Sequence, residues 1–61
     1  MPIIRVEMFE GRSKEQKKEL VEVMTKEACR ILGCGEQSVY VVIENRRKED
    51  WGIAGKLCSE E

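Results

Sequence analysis

The stretch IIRVEMF, residues 3–9, decides the fold because its apolar side chains alternate. Ile4, Val6 and Met8 fall on one side of an extended segment, while the residues between them fall on the other. This is the period of a strand with one buried face. A strand that starts so close to the terminus holds the chain end in a hydrogen-bonded ladder. We therefore predict that residues 3–9 form a strand whose beginning is fixed rather than frayed.

A helix is predicted after the short turn at residues 10–12. Ser13 suits the N-cap, and Gln16 occupies the reciprocal position of a capping box. Gly33 suits the left-handed position just beyond a helix end, so the helix should stop near Leu32. Apolar residues recur at helical spacing and are expected to pack on a sheet: Leu20, Val21, Met24, Ala28, Ile31 and Leu32. Lysine and glutamate residues occupy mainly the other face: Lys17, Lys18, Glu22 and Lys26.

A second strand is predicted over Val39–Glu44, which is rich in β-branched residues. Strand, helix and strand in so few residues indicate a right-handed β-α-β crossover with parallel strands. Residues 45–50 read as a polar loop. The final segment, residues 51–57, contains two glycines and is too short for a helix. It fits a small hairpin, or an arm that adds to a neighbour's sheet.

The length of 61 residues allows one domain, 1–61, which is marginally stable alone. Such a chain needs disulfides, metal or association. The three cysteines, Cys29, Cys34 and Cys58, cannot all pair within one chain. Histidine is absent and no cysteine spacing resembles CxxC, which argues against a zinc site and predicts reduced cysteines in a cytoplasmic protein. We therefore expect a homo-oligomer whose interface completes the core.

Composition also argues against several partners. The opening residues become charged too early for a signal peptide, and no apolar run has the length of a membrane span. The net charge is −1, with both signs interspersed, so the chain lacks the basic surface that nucleic acid requires. We expect neither a membrane nor a nucleic-acid partner.

Pro2 follows the initiator methionine, whose removal a small second side chain normally permits. The mature chain would then begin with a secondary amine on a rigid ring. A chain-terminal amine has a reference pKa of about 8, and partial burial or a nearby cation lowers it. A base with a pKa near neutrality suits proton transfer. The simpler interpretation is that a Met-Pro start is common and has no functional significance.

Four segments occur in an order that resembles the 4-oxalocrotonate tautomerase family: PII at residues 2–4, EGRSKEQ at 10–16, SVYVVI at 38–43 and WGIAG at 51–55. The resemblance spans nearly the whole chain. It implies a β-α-β subunit that dimerises into a two-layer α/β sandwich, and commonly a hexamer of three dimers. It also implies an isomerase of aromatic hydrocarbon catabolism that needs no cofactor or metal. The implied reaction interconverts enol and keto forms of an unsaturated 2-hydroxy or 2-oxo acid, such as 2-hydroxymuconate or 4-oxalocrotonate.

The resemblance assigns roles to individual residues. Pro2 would be the general acid and base, and Arg12 would bind the carboxylate of a small anionic substrate. Trp51 stands where the family places an active-site aromatic residue. Tyr40 departs from the pattern, because well-studied members carry a second arginine there; tyrosine can donate one hydrogen bond but brings no charge. Arg46 or Arg47 in the following loop could substitute, although both also read as solvated loop residues.

Three other interpretations remain open. Tyr40 permits a catalytically weak or non-enzymatic oligomer of the same fold. Related hydratases and dehalogenases carry an arginine at the place of Phe9 and an acid at the place of Ile53, and both positions are apolar here. A small DNA-binding module would need a second helix and net positive charge. We rank tautomerisation above all three.

Overall fold

A computed structural model describes residues 1–60. The chain forms strand β1 (Ile3–Phe9), helix α1 (Lys14–Leu32), strand β2 (Tyr40–Arg46), and two short strands, β3 (Gly52–Ile53) and β4 (Lys56–Leu57). Short 3-10 turns occupy Glu36–Ser38 and Lys48–Asp50. Within the described residues, no helix has the length and apolar character needed to cross a membrane.

Strands β1 and β2 pair in parallel, as the strand–helix–strand order predicted. The register places Ile3 beside Tyr40 and Phe9 beside Arg46. Strand β2 begins one residue later than expected and continues two residues further, into the segment predicted as a polar loop. The ladder persists because β1 supplies a partner throughout, and the Glu10 amide still donates to the Arg46 carbonyl at 3.0 Å. Polar composition therefore concealed the end of the strand.

Both ends of α1 agree with the sequence prediction. The Ser13 hydroxyl accepts from the Gln16 amide at 3.1 Å, and the Gln16 side chain accepts from the Ser13 amide at 2.9 Å. These two bonds form the expected capping box. Gly33 ends the helix at φ 70° and ψ 35°, a conformation that costs a residue with a side chain far more than glycine.

The apolar stripe of α1 covers the sheet only in part. Leu20, Val21, Met24 and Ala28 are half-buried, as predicted. The prediction is wrong for Ile31 and Leu32, which are 67% and 62% exposed. A helix of 19 residues extends about 28 Å at about 1.5 Å per residue. A strand of seven residues extends about 23 Å at about 3.3 Å per residue, so the last helical turn has less sheet to cover.

No residue among 1–60 is fully buried in the isolated chain. The single subunit thus has a half-formed core, as expected for a chain that completes its core by association.

The carboxyl-terminal segment forms the predicted hairpin, with β3 and β4 antiparallel. Gly52 pairs with Leu57, and Ile53 pairs with Lys56. The two turn residues, Ala54 and Gly55, have φ of 54° and 83°. Positive φ at both positions matches the twist of a tight hairpin, but Ala54 adopts it with a Cβ atom present.

Candidate active site

Pro2 lies at the start of the sheet. Its carbonyl accepts a hydrogen bond of 3.0 Å from the Tyr40 amide, which extends the ladder to the second residue. The Pro2 ring is half-buried, whereas Met1 is 79% exposed. Tyr40 is 52% exposed and alternates with Val41, which is half-buried toward α1. Removing Met1 would therefore leave a fixed, partly sheltered amine next to the tyrosine.

Arg12 lies at the opposite end of β1, between the turn at Gly11 and the helix cap. Gly11 has φ 118°, which only glycine adopts easily, and this turn directs the chain from strand to helix. Within residues 1–60, Arg12 forms no ion pair. Its guanidinium is thus available to an external carboxylate.

A surface pocket of about 190 Å³ contains Arg12 beside Met8, Gln16, Lys17 and Leu20. Sequence reasoning missed Lys17, which it placed on the solvent face of the helix. Lys17 is half-buried and adds a second positive charge to the same pocket. Lys17 lies in the first turn of the helix, directly after the turn that contains Arg12. That short separation in sequence could have predicted that the two side chains share a pocket.

Trp51 lies at the same end of the sheet as Arg12. Its ring packs edge-on against Phe9, with centroids 4.5 Å apart at an interplanar angle of 64°. The Trp51 amide donates to the Lys48 carbonyl at 3.2 Å, and the Trp51 carbonyl accepts from the Cys58 amide at 2.8 Å. These contacts fix the aromatic residue between β1 and the hairpin. Trp51 also lines an open cleft of about 240 Å³, together with Glu7, Arg46, Asp50 and Gly52.

One chain does not bring the predicted site residues together. Pro2 and Tyr40 lie at the beginning of the parallel strands, and Arg12 and Trp51 lie beyond the end of β1. Seven extended residues separate the two groups by roughly 23 Å at about 3.3 Å per residue. A small unsaturated acid cannot span this distance. A site that uses all four residues must therefore combine the two ends of different chains.

Arg46 is already paired on the exposed face of the sheet. Its Nη2 atom lies 3.0 Å from Glu44 Oε2, and its Nε atom lies 3.3 Å from Glu7 Oε1. Glu7 and Glu44 are direct neighbours across the strands, where like charges repel. Arg46 relieves that repulsion, so its geometry favours a structural role.

Arg47 is paired as well. Its Nε atom lies 3.2 Å from Asp50 Oδ2, and its Nη1 atom lies 3.3 Å from Glu49 Oε1. A substrate carboxylate would have to displace two carboxylates from either arginine. The structure therefore gives little support to Arg46 or Arg47 as a substitute for the charge that Tyr40 lacks.

In the part of the chain that the structure describes, no cluster of three acidic or cysteine side chains could hold a metal ion. The available groups at the two ends of the sheet are the Pro2 ring, which becomes a terminal amine if Met1 is removed, a phenol, a free guanidinium and an indole. Such a set can move protons and bind an anion.

The architecture and these groups define a small β-α-β protein of the 4-oxalocrotonate tautomerase type. A family model described as tautomerase enzyme matches residues 2–61, and the chain belongs to the tautomerase family. The 2-hydroxymuconate tautomerase of Bacillus subtilis (strain 168) is 42% identical over 60 residues, which cover 98% of this chain and 97% of that protein.

Solved structures agree with this assignment. A crystal structure of a 4-oxalocrotonate tautomerase homologue superposes with a TM-score of 0.95 at 36% identity, covering 100% of this chain and 97% of that one. A subunit of a heterohexameric 4-oxalocrotonate tautomerase from Chloroflexus aurantiacus J-10-fl gives a TM-score of 0.91 at 30% identity. That alignment covers 98% of this chain and 97% of the other.

Proposed function

We propose that this protein is a keto–enol tautomerase that uses the Pro2 amine as general acid and base. The substrate is an unsaturated 2-hydroxy or 2-oxo acid, of the kind represented by 2-hydroxymuconate and 4-oxalocrotonate. After Met1 is removed, the amine takes a proton from the enol and returns one at a distant carbon. A single base with a pKa near neutrality can perform both transfers.

The observation that carries this proposal is the anchoring of Pro2 within the parallel ladder. The 3.0 Å hydrogen bond between the Tyr40 amide and the Pro2 carbonyl fixes the ring that bears the nitrogen. Partial burial of the ring also favours the neutral form of a terminal amine, which is the form that accepts a proton.

Substrate binding is assigned to Arg12 and Trp51. An unpaired guanidinium binds a carboxylate through two parallel hydrogen bonds, which also fixes its orientation. The indole supplies a flat apolar surface for a conjugated chain and excludes water. Tyr40 contributes one neutral donor near Pro2. Because these groups lie at opposite ends of the sheet, the active protein is a homo-oligomer, a dimer or a hexamer, whose sites form between chains.

The decisive experiment compares two forms of the wild-type protein that differ only in Met1. Intact-mass spectrometry identifies the processed form, and a form that retains Met1 is the matched control. Ketonisation of 2-hydroxymuconate is followed by ultraviolet absorbance. We expect the processed form to turn over the enol and the retained form, like Pro2→Gly, to lose roughly 10²- to 10⁴-fold, the usual contribution of a general base. Equal turnover by the two wild-type forms would refute the role of the Pro2 amine.

A second candidate is a catalytically weak or non-enzymatic oligomer, which Tyr40 favours because it supplies no positive charge. It predicts no pH-dependent turnover by the processed protein. The hydratase or dehalogenase alternative is less well supported, because Ile53 is an exposed aliphatic residue and Phe9 packs against Trp51. Neither side chain can activate water.

A further inference from the structure

Two cysteines flank the end of α1. Cys29 lies in the last helical turn, and its carbonyl accepts a 2.9 Å hydrogen bond from the Gly33 amide. Gly33 then reverses the backbone in the left-handed conformation, which returns Cys34 toward the turn that the helix has just completed. Both cysteines are half-buried and carry free thiols.

The left-handed cap places residue 34 beside residue 29, because the second residue beyond such a helix end commonly contacts the last helical turn. Burial raises the pKa of the Cys29 thiol, and the adjacent Cys34 thiol and the Glu36 carboxylate raise it further. The following turn leads to Tyr40, so this pair lies at the same end of the sheet as Pro2.

We propose that Cys29 and Cys34 form a reversible intrachain disulfide site that reacts with small-molecule disulfides such as oxidised glutathione. A left-handed reversal after the helix brings positions 29 and 34 together without opening the helix. The proposal is independent of the tautomerase function, since neither thiol belongs to the proposed catalytic groups.

The chemistry is two successive thiol–disulfide exchanges. One protein thiolate attacks a sulfur of oxidised glutathione, forming a mixed disulfide and releasing one glutathione thiolate. The second protein thiolate then attacks the protein-bound sulfur, closing the Cys29–Cys34 bond and releasing the second glutathione. The two thiol protons pass to the two departing thiolates. The protein pair is oxidised, and one glutathione disulfide is reduced to two thiols.

Cys34 is assigned the first attack and Cys29 the resolving step. The raised pKa of Cys29 disfavours its thiolate, which is the attacking species. Cys58 is distant from this pair and is replaced by serine in the experiment. It lies after the hairpin, where its amide donates to Trp51 at the far end of the sheet.

The test uses the full-length Cys58→Ser variant, folded and exposed to oxidised glutathione. Intact mass should fall by two hydrogens, with no retained glutathione, and dithiothreitol should reverse the change. Trypsin cleaves after Arg30, between the two cysteines. A linked pair of peptides, residues 27–30 and 31–46, would therefore identify the bond.

Two single-cysteine proteins complete the experiment, and circular dichroism checks that each keeps its fold. Cys29→Ser in the Cys58→Ser background should accumulate glutathione on Cys34, because the resolving thiol is gone. Cys34→Ser should accumulate at least tenfold less adduct at the same time. The proposal is wrong if Cys58→Ser retains glutathione, links two chains, or stays reduced under conditions that oxidise the denatured variant.

Discussion

Mixing two impaired variants should raise activity above that of either one, because Pro2 and Arg12 lie at opposite ends of one subunit. Pro2→Gly removes the proposed base, and Arg12→Ala removes the proposed carboxylate ligand. Pro2→Gly alone should be nearly inactive, and Arg12→Ala alone should keep at most about a tenth of wild-type kcat/KM. When both are unfolded together and refolded, some sites will receive an intact Pro2 from one chain and an intact Arg12 from another.

The expected recovery follows from the separation of roughly 23 Å between the two ends of β1. If each site draws these residues from different chains, an equal mixture gives each residue one chance in two of being intact. About a quarter of the sites are then complete, whatever the number of subunits. If both residues came from the same chain, no site would be complete.

The assay is ketonisation of 2-hydroxymuconate at equal total protein. A one-to-one mixture of wild type with the double variant Pro2→Gly/Arg12→Ala is the matched control. It should also give about a quarter of wild-type activity for a shared site, but about half for a site within one chain. The shared site would be refuted by two results together. The mixture of the two single variants would be no more active than either variant alone, and the control mixture would keep half of wild-type activity.

Four further predictions concern individual side chains. Arg12→Ala should lower kcat/KM roughly 10- to 150-fold, which corresponds to losing about 1.5–3 kcal/mol of charged hydrogen bonding. As a control, Arg46→Gln should change kcat/KM by no more than a few-fold, because Arg46 pairs with carboxylates of its own chain. Tyr40→Arg should increase kcat/KM for a dicarboxylic enol relative to a monocarboxylic one, measured in parallel assays. Ala54→Asn should raise stability by about 0.5–1 kcal/mol in urea unfolding, because asparagine tolerates positive φ better than alanine. Ser13→Ala should lower it by about 1 kcal/mol through loss of the helix cap.

The sequence predicted most elements of the fold because their signals are local. Alternation over residues 3–9, the capping box at Ser13 and the left-handed Gly33 each depend on a few neighbouring residues. The end of β2 was missed because Asn45 and Arg46 are polar yet continue the ladder along β1. Pairing with a distant segment determined that boundary, and local composition could not reveal it.

The candidate site was harder to predict, because its geometry depends on how the strands run. The motifs proposed Pro2, Arg12 and Trp51 as site residues, and the predicted strand over residues 3–9 already separated Pro2 from Arg12. The sequence did not show that Trp51 packs against Phe9, at the Arg12 end of the sheet. It also could not show that Arg46 and Arg47 are held by carboxylates of their own chain. Lys17 was overlooked because helical spacing alone placed it toward solvent, whereas the Arg12 turn folds beside it.

Assembly and catalysis should be coupled in this protein, because the isolated chain has neither a complete core nor a complete set of the proposed catalytic groups. Among residues 1–60, the lone chain buries none fully, and large apolar side chains such as Ile3 and Ile53 remain 56% and 59% exposed. The proposed catalytic groups are incomplete in that same chain. Loss of a neighbour would therefore remove core contacts and half of the active site together. A variant that weakens association should lose activity on dilution and recover it at high protein concentration, whereas a variant that damages chemistry alone should stay inactive at every concentration.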